Sequence, residues 1–314
     1  MDKSMLKYIG KRLLISVITL FVIILVLFMM LKLMPGSPFN DEKLTAVQKA
    51  AVMAKYGLDK PLWEQFFNYL RNFMIGDFGV SYSLSKNLAV STLVGGAAVI
   101  SFKLGLAACI VGTIIGMILG ILAALNKNTW IDTLATVVSV LGVSVPSFVF
   151  ALLLLLVLGL NLHILPTAYS SSRPIYTSIM PVIALSMSVI ANVARFTRTE
   201  MISVLGSDYM ILAEAKGLDR KTLITKHALR NSLIPVITIL GPILVNLMTG
   251  TMVVEKICGV PGLGQLLISS IQSRDYNVTL ACSFLYAFMY VIIVLVIDIS
   301  YGLIDPRIRL GKED

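Results

Sequence analysis

The chain has 314 residues, of which 57% are hydrophobic and only 14% are charged, and its formal net charge is +9. Soluble domains usually have about 25% charged and about 45–50% apolar residues, so this composition excludes a soluble enzyme, a disordered scaffold and a disulfide-stapled secreted domain. In a membrane protein a surplus of Lys and Arg more often marks cytoplasmic loops than a nucleic-acid site.

Long apolar stretches predict membrane-spanning helices, because about 20 apolar residues cross the hydrocarbon core. Six stretches qualify: Leu13–Leu31, Leu104–Leu125, Leu134–Leu160, Ile175–Ala194, Asn231–Val254 and Asn277–Ile297. The fourth contains Pro181 and several polar residues, which indicates a helix that faces protein or a water-filled path. We therefore predict an all-α membrane protein, a bundle of six transmembrane helices.

Basic residues in the short segments predict the orientation of the chain. Four of them precede the first predicted span, seven lie between the fourth and fifth spans, and three lie near the C-terminus. Because Lys and Arg favour the cytoplasmic side, we expect a multi-pass protein of the cell membrane with both termini in the cytoplasm.

The predicted organisation has three parts. Residues 1–33 form the N-terminal cytoplasmic end and the first helix, residues 34–98 form an extracellular insertion, and residues 99–314 form a five-helix core with a cytoplasmic segment at 195–230.

The extracellular insertion contains two predicted helices. The first is Thr45–Tyr56, ended by Gly57, and the second begins after Pro61. Four apolar residues of the second helix share one face at helical spacing: Trp63, Phe66, Phe67 and Leu70. This helix is either a small cap on the membrane surface or part of a docking surface, and the two interpretations are compatible.

The cytoplasmic segment mixes basic and acidic residues and predicts two short helices, Asp208–Lys216 and Lys221–Leu229. A glycine such as Gly217 ends a helix in the left-handed conformation, and Asp219 is a natural N-cap for the second helix. The small residues Ala213 and Ala215 would let another protein's backbone come close. The alternative is a basic hairpin lying on anionic lipid.

Seven short motifs follow one another along the chain. They are GLDKPLWEQF (Gly57–Phe66), GDFGVS (Gly76–Ser81), LGVSVPSF (Leu141–Phe148), DYMILAEAKGL with KHALRNSLIP (Asp208–Pro235), VPGLGQLL (Val260–Leu267), RDY (Arg274–Tyr276) and DPRIR (Asp305–Arg309). In this order they resemble permease subunits of ATP-binding-cassette importers of the oligopeptide/dipeptide/nickel group, in their oligopeptide permease B-like form. The fourth stretch resembles the inner-loop "EAA" motif of these permeases, although Ile211 stands where the general motif has glutamate.

The resemblance implies a type I importer-like bundle that forms half of a translocation pathway for peptides. It implies four kinds of partner besides membrane lipid: a homologous second permease subunit, two ATPase subunits that bind ATP and Mg, an extracellular solute-binding protein, and the peptide substrate. It implies a non-catalytic chain with no cofactor, no metal and no nucleic acid of its own. The ATPases would contact Asp208, Ala213, Glu214, Ala215, Lys216, Gly217, Leu218 and Asp219.

Other sequence features narrow the alternatives, which are a permease for nickel or a metal chelate and an ion-coupled secondary transporter. The sequence has no GxxxxGK[ST] phosphate-binding loop. No predicted span has a charge at its centre, which disfavours a secondary transporter. Asp298 is either close enough to the inner interface to stay hydrated or a buried partner for a basic residue of a neighbouring helix.

Polar residues of the fourth and fifth spans are candidates for lining the transport pathway. They are Ser186, Ser188, Asn192, Asn246 and Thr249. The same residues could instead form hydrogen bonds between helices.

Overall fold

The computed structural model describes residues 3–33, 46–55 and 57–304. In this part of the chain every regular element is helical, apart from one isolated bridge between Val80 and Ala89. The α-helices are α1 (Lys3–Leu33), α2 (Ala46–Lys55), α3 (Leu62–Met74), α4 (Val90–Leu125), α5 (Trp130–Ser144), α6 (Ser147–Leu154), α7 (Pro174–Thr177), α8 (Ile179–Leu205), α9 (Asp208–Ala215), α10 (Arg220–Thr222), α11 (Leu229–Cys258), α12 (Leu263–Gln272) and α13 (Tyr276–Ile304). Short π-helical stretches, Leu155–Asn161 and Leu223–Ala228, follow α6 and α10.

Several of these helices are long and apolar enough to cross a membrane. Within the described residues four single helices qualify: Tyr8–Met30, Val90–Leu125, Ile179–Leu205 and Tyr276–Ser300. Three bent helix pairs, in residues 130–161, 220–248 and 251–272, bring the number to seven if each pair is one span. The all-helical, multi-pass prediction is confirmed, and the number of six spans stays a prediction.

The predicted continuous helix over Leu134–Leu160 is wrong. Helices α5 and α6 are inclined to each other by 104°. Proline lacks an N–H and forces the preceding residue out of the helical region. Accordingly, Val145 has extended backbone angles (φ −92°, ψ 121°) immediately before Pro146.

The observed ends of two further helices differ from the predicted ones. Helix α4 begins at Val90, so the last residues of the predicted insertion 34–98 belong to this helix. Helix α8 begins at Ile179 and continues to Leu205, eleven residues beyond the predicted end at Ala194. The polar character of the fourth span does fit its surroundings, since 56% of the most apolar window of α8 is buried.

The chain forms two compact units, each described by itself. The first consists of Met1–Ser101 with Pro261–Asp314, and the second of Phe102–Val260. The first unit joins the N-terminal third of the chain to its C-terminal helices, and the predicted organisation into three parts stays a prediction.

The core of the first unit joins α1, α3 and α13 through aromatic side chains. The ring of Phe66 lies 5.4 Å from that of Phe28, and the ring of Phe73 lies 4.6 Å from that of Phe284. The predicted apolar face of α3 is therefore only partly right. Phe66 is buried, but Trp63 and Phe67 are 66% and 60% exposed, because the buried stripe continues through Phe73 instead.

The first unit also pairs Asp298 with a basic residue of a neighbouring helix. The Arg12 guanidinium of α1 lies 2.8 Å from the Asp298 carboxylate of α13. Asp298 thus has a basic partner on a neighbouring helix, as the second interpretation expects, but the pair is not buried, since the Asp298 side chain is 19% exposed and that of Arg12 is 41% exposed.

A buried carboxylate joins two of the sequence motifs within the first unit. Asp275 of the RDY motif is fully buried and accepts hydrogen bonds from the Ser81 hydroxyl (2.5 Å) and from the Ser83 and Leu84 N–H groups (3.0 and 3.1 Å). Asn277 adds a hydrogen bond to the Val80 carbonyl at 2.9 Å. The loop after GDFGVS is therefore fixed to the start of α13. The DPRIR motif lies outside the described residues.

Helix α8 is the centre of the second unit, where it packs against α5, α6 and α11. Three glycines of α4 at four-residue spacing, Gly112, Gly116 and Gly120, also face α8. A Cβ atom at Gly116 would lie 2.9 Å from the Ile190 carbonyl oxygen and 2.8 Å from the Val193 Cβ. Small residues at this spacing let helix backbones come close in a membrane.

Candidate functional site

The predicted cytoplasmic segment begins inside α8, and its first separate element is the eight-residue helix α9. Helix α9 ends at Ala215, one residue before the predicted end, and Gly217 follows with φ +82°. The Gly217 N–H donates to the Glu214 carbonyl at 2.9 Å. A Cβ atom at Gly217 would meet nothing within 4 Å, so glycine is favoured there by backbone conformation alone.

Asp219 caps the next helix, as predicted. Its carboxylate accepts the Thr222 N–H at 3.1 Å. Hydrogen bonds from the Thr222 side chain and backbone lower the pKa of the exposed Asp219 carboxyl. Because the pKa is lowered on folding, the contribution of the cap is complete at neutral pH and is lost as the pH falls through the folded-state value.

The second predicted helix, Lys221–Leu229, does not end at Leu229 but continues beyond it. The chain continues from α10 through the π-helical stretch into α11, with a bend of 43° between residues 220–233 and 235–248. Pro235 therefore lies within a bent helix rather than after one.

A small apolar cluster fixes the segment to the second unit. Met210 of α9 is buried together with Met201, Leu223 and Ala228. Ala213 is half-buried and packs against the same cluster. Ala213 lies three residues after Met210, which turns it toward the inward side of α9, so only part of its surface is open to a partner. Its contact with an ATPase stays a prediction.

The outward side of the segment carries exposed apolar side chains, of which only Leu218 was predicted to contact an ATPase. Ile211 and Leu212 are 59% and 56% exposed, and Tyr209 and Leu218 are exposed beside them. The other predicted contact residues on this side are also exposed: Asp208, Glu214, Ala215, Lys216, Gly217 and Asp219. A sequence signal was present, since an eight-residue helix with apolar residues on several faces cannot bury them all.

An ion pair positions the helix that leads into the segment. The Arg198 side chain of α8 binds the Asp132 carboxylate of α5 in a bidentate way, at 2.5 and 2.8 Å. The Asn128 N–H donates to the same carboxylate at 3.0 Å. Arg198 was noted only as one of the basic residues, and nothing in its spacing to Asp132 predicts the pairing.

Three of the candidate pathway residues form hydrogen bonds with backbone carbonyls of their own helix, α8. Ser186 is buried and donates to the Ile183 carbonyl at 2.9 Å, and Asn192 donates to the Ser188 carbonyl at 2.7 Å. The Ser188 hydroxyl lies 3.4 Å from the Leu185 carbonyl. Asn246 is exposed, and the side chain of Thr249 lies outside the described part. A pathway role for these residues stays a prediction.

Several helices that are long and apolar enough to cross a membrane define an integral membrane protein. The chain belongs to the family described as "Binding-protein-dependent transport system inner membrane component", whose family model matches residues 116–310. The model for the N-terminal part of the same membrane components matches residues 5–87. The chain is therefore a permease subunit of an ATP-binding-cassette importer, in which separate subunits hydrolyse ATP.

Relatives match along their whole length. The dipeptide transport system permease protein of Lactococcus lactis is 44% identical over 306 residues, which cover 98% of this chain and 100% of the relative. The oligopeptide transport system permease protein of Escherichia coli K12 is 40% identical over 306 residues, covering 97% and 100%.

A solved structure shares the fold. It is titled "Crystal structure of an amino acid ABC transporter with histidines" and matches with a TM-score of 0.53 at 17% identity, covering 69% of this chain and 94% of that chain. At this identity the match supports the fold alone.

Proposed function

We propose that this permease subunit forms half of a translocation pathway for peptides. The observation that carries the proposal is the 40–44% identity, over the full length, to permeases named for dipeptide and oligopeptide transport. Those names favour peptides over nickel or a metal chelate, and the family disfavours an ion-coupled secondary transporter.

The proposed assembly has a homologous second permease subunit, two ATPase subunits and an extracellular solute-binding protein. ATP and Mg would bind to the ATPases, since this sequence has no phosphate-binding loop. The binding protein would deliver the peptide to the outer mouth of the pathway.

We assign ATPase coupling to residues 208–219. Three features support the assignment: the exposed apolar side chains of α9, the turn at Gly217 and the attachment of α9 to α8 and α11 through Met210. An element that transmits force must be stiff and fixed to the helices that it moves. The exposed Ile211 and Leu212 fit a protein partner as well as a lipid surface, and the variants below distinguish the two.

The substrate is tested in proteoliposomes that contain all subunits. We expect dipeptides or oligopeptides to stimulate ATP hydrolysis and to accumulate, and the permease alone to do neither. Nickel and nickel chelates form the second arm of the experiment. Stimulation of ATP hydrolysis by nickel or its chelates, and not by peptides, would show that the chain is a permease for nickel or a metal chelate.

The coupling assignment predicts different outcomes for two matched glycine variants. Gly217→Ala places an L-residue at φ +82° and should cost roughly 1–2 kcal/mol in the turn. Gly206→Ala, eleven residues earlier at φ −89°, meets only an ordinary contact of 3.5 Å and should be neutral. We expect Gly217→Ala to weaken peptide-stimulated ATP hydrolysis in the reconstituted complex while Gly206→Ala preserves it.

A third variant tests the outer face of α9. Leu212→Glu adds a charge to an exposed apolar position, so the ATPases should co-purify poorly while the variant still inserts and folds. Wild-type ATPase association in both Leu212→Glu and Gly217→Ala would assign the segment to the lipid surface instead.

The proposed orientation predicts opposite labelling of two engineered cysteines in intact cells. Lys86→Cys should react with a membrane-impermeant thiol reagent and Lys221→Cys should not. Both lysines are exposed, and the native Cys109, Cys258 and Cys282 are buried. Labelling of Lys221→Cys from outside would reverse the assignment of both termini to the cytoplasm.

A further inference from the structure

The first unit contains a cavity at the level where two predicted spans end. Its volume is about 340 Å³, and its walls are the C-terminal end of α1, the 57–60 turn, α3 and the start of α13. The span in α1 ends at Met30 and the span in α13 begins at Tyr276. The cavity therefore lies beside the membrane–water interface.

Three basic side chains line this cavity: Lys32, Lys60 and Arg71. Lys32 lies over the Phe28 ring, with 5.6 Å between the ammonium and the ring centre. Lys60 is paired with Glu64 at 2.5 Å, so the wall retains an excess of positive charge. This charge favours an anionic ligand.

Two buried polar atoms of α3 in the same wall are without a hydrogen-bond partner among the described residues. They are the Oε1 of Gln65 and the hydroxyl of Tyr69. Gln65 cannot turn to satisfy its oxygen at no cost, because its Nε2 donates to the Leu58 and Lys60 carbonyls. A buried polar atom without a partner costs about 1–3 kcal/mol. A ligand with both a donor and an acceptor would remove this cost.

The surroundings indicate which anion fits. Trp63 and Phe67 are exposed on α3, the helix that forms one wall of the cavity, and exposed aromatic residues on an amphipathic helix favour a position among lipid headgroups. Basic pockets next to transmembrane helices suit anionic headgroups. We propose that the cavity binds the headgroup of an anionic phospholipid, with the phosphate near Lys32 and Arg71 and a headgroup hydroxyl or ammonium donating to Gln65 Oε1.

The Tyr69 hydroxyl would donate to the phosphate in this arrangement. Burial already raises its pKa well above the ordinary value, so it stays protonated and able to donate at neutral pH. The bound lipid would hold α3 against α1 and α13. This site is independent of the transported substrate.

The test uses the intact importer complex in detergent and two lipid probes, dioleoyl phosphatidylglycerol and dioleoyl phosphatidylcholine. Native mass spectrometry measures lipid bound to this subunit, and thermal unfolding measures stabilisation. We expect the anionic phosphatidylglycerol to bind more tightly than the zwitterionic phosphatidylcholine. The double variant Lys32→Gln with Arg71→Gln should weaken its affinity about fivefold per removed charge. The matched double variant Lys86→Gln with Lys127→Gln, at exposed positions outside the cavity wall, should bind like wild type.

Tyr69→Phe separates lipid binding from a merely structural role. It removes a buried hydroxyl without a partner, so the lipid-free protein should melt at a higher temperature and the lipid-induced rise should shrink. Equal binding by the two double variants, equal binding of the two lipids, or an unchanged lipid-induced rise in Tyr69→Phe would overturn the proposal. Displacement by equimolar inorganic phosphate or by an acidic peptide would assign the cavity to a free anion or to the substrate, and would overturn the lipid assignment.

Discussion

Replacing Gly116 with valine should disrupt the packing of α4 against α8 and destabilise the second unit. Even the first added carbon would lie 2.9 Å from the Ile190 carbonyl oxygen and 2.8 Å from the Val193 Cβ. The carbonyl belongs to the backbone of α8 and cannot rotate away. Overpacking in a dense core typically costs about 1–3 kcal/mol and occasionally more. We expect the upper end of that range, because α8 is also held by α5, α6 and α11.

Gly105→Val is the matched control for this prediction. Gly105 lies in the same helix, and a Cβ there meets nothing within 4 Å. Both variants make the same change in helix propensity, so a difference between them measures packing alone. Thermal unfolding in detergent should show a large fall in Tm for Gly116→Val and a small change for Gly105→Val. Similar Tm values for the two variants would mean that the contact between α4 and α8 is not required.

The sequence predicted those parts of the fold that depend on local chemistry. Apolar runs located the long helices, because a lipid-facing helix must be apolar over its whole length. The turn at Gly217 and the cap at Asp219 were also predictable, since each depends on a few neighbouring residues. The four-residue spacing of the three glycines of α4 is itself visible in the sequence, but the helix that they face is not.

The remaining features depend on contacts between distant residues. The Asp132–Arg198 pair spans 66 residues, and the Asp275–Ser81 pair spans 194. The inward side of α9 is set by Met201 and Leu223 rather than by α9 itself, so the half-burial of Ala213 could not be predicted from α9 alone. Pro146 was visible in the sequence, but a proline alone gives no bend angle, and the 104° between α5 and α6 depends on their packing against α8.

Asp275→Ala should release the 81–84 loop from the start of α13 and destabilise the first unit. The carboxylate accepts one hydroxyl and two backbone N–H groups, and Ser81 and Asp275 are both fully buried. Each buried donor left without a partner costs about 1–3 kcal/mol. Water can reach the half-buried Ser83 and Leu84 once the loop opens, so we expect a total of about 3 kcal/mol, the upper end of the cost of one buried donor without a partner.

Hydrogen exchange distinguishes this local release from general unfolding. In Asp275→Ala the Ser83 and Leu84 amides should exchange much faster, because they lose their acceptor, while amides in the middle of α8 keep their protection. In Asp275→Asn the exchange rates should be intermediate. The amide oxygen can replace the carboxylate oxygen that accepts the loop donors. The NH₂ group, however, would face the Val278 N–H, which in the wild-type protein lies 3.5 Å from the other carboxylate oxygen. Asp59→Ala, at an exposed position of the same unit, serves as the control. Protected Ser83 and Leu84 amides in Asp275→Ala would mean that other hydrogen bonds hold the loop. The candidates are the bond from Asn277 to the Val80 carbonyl and the bond from Ser83 Oγ to the Ser273 carbonyl, neither of which involves the carboxylate.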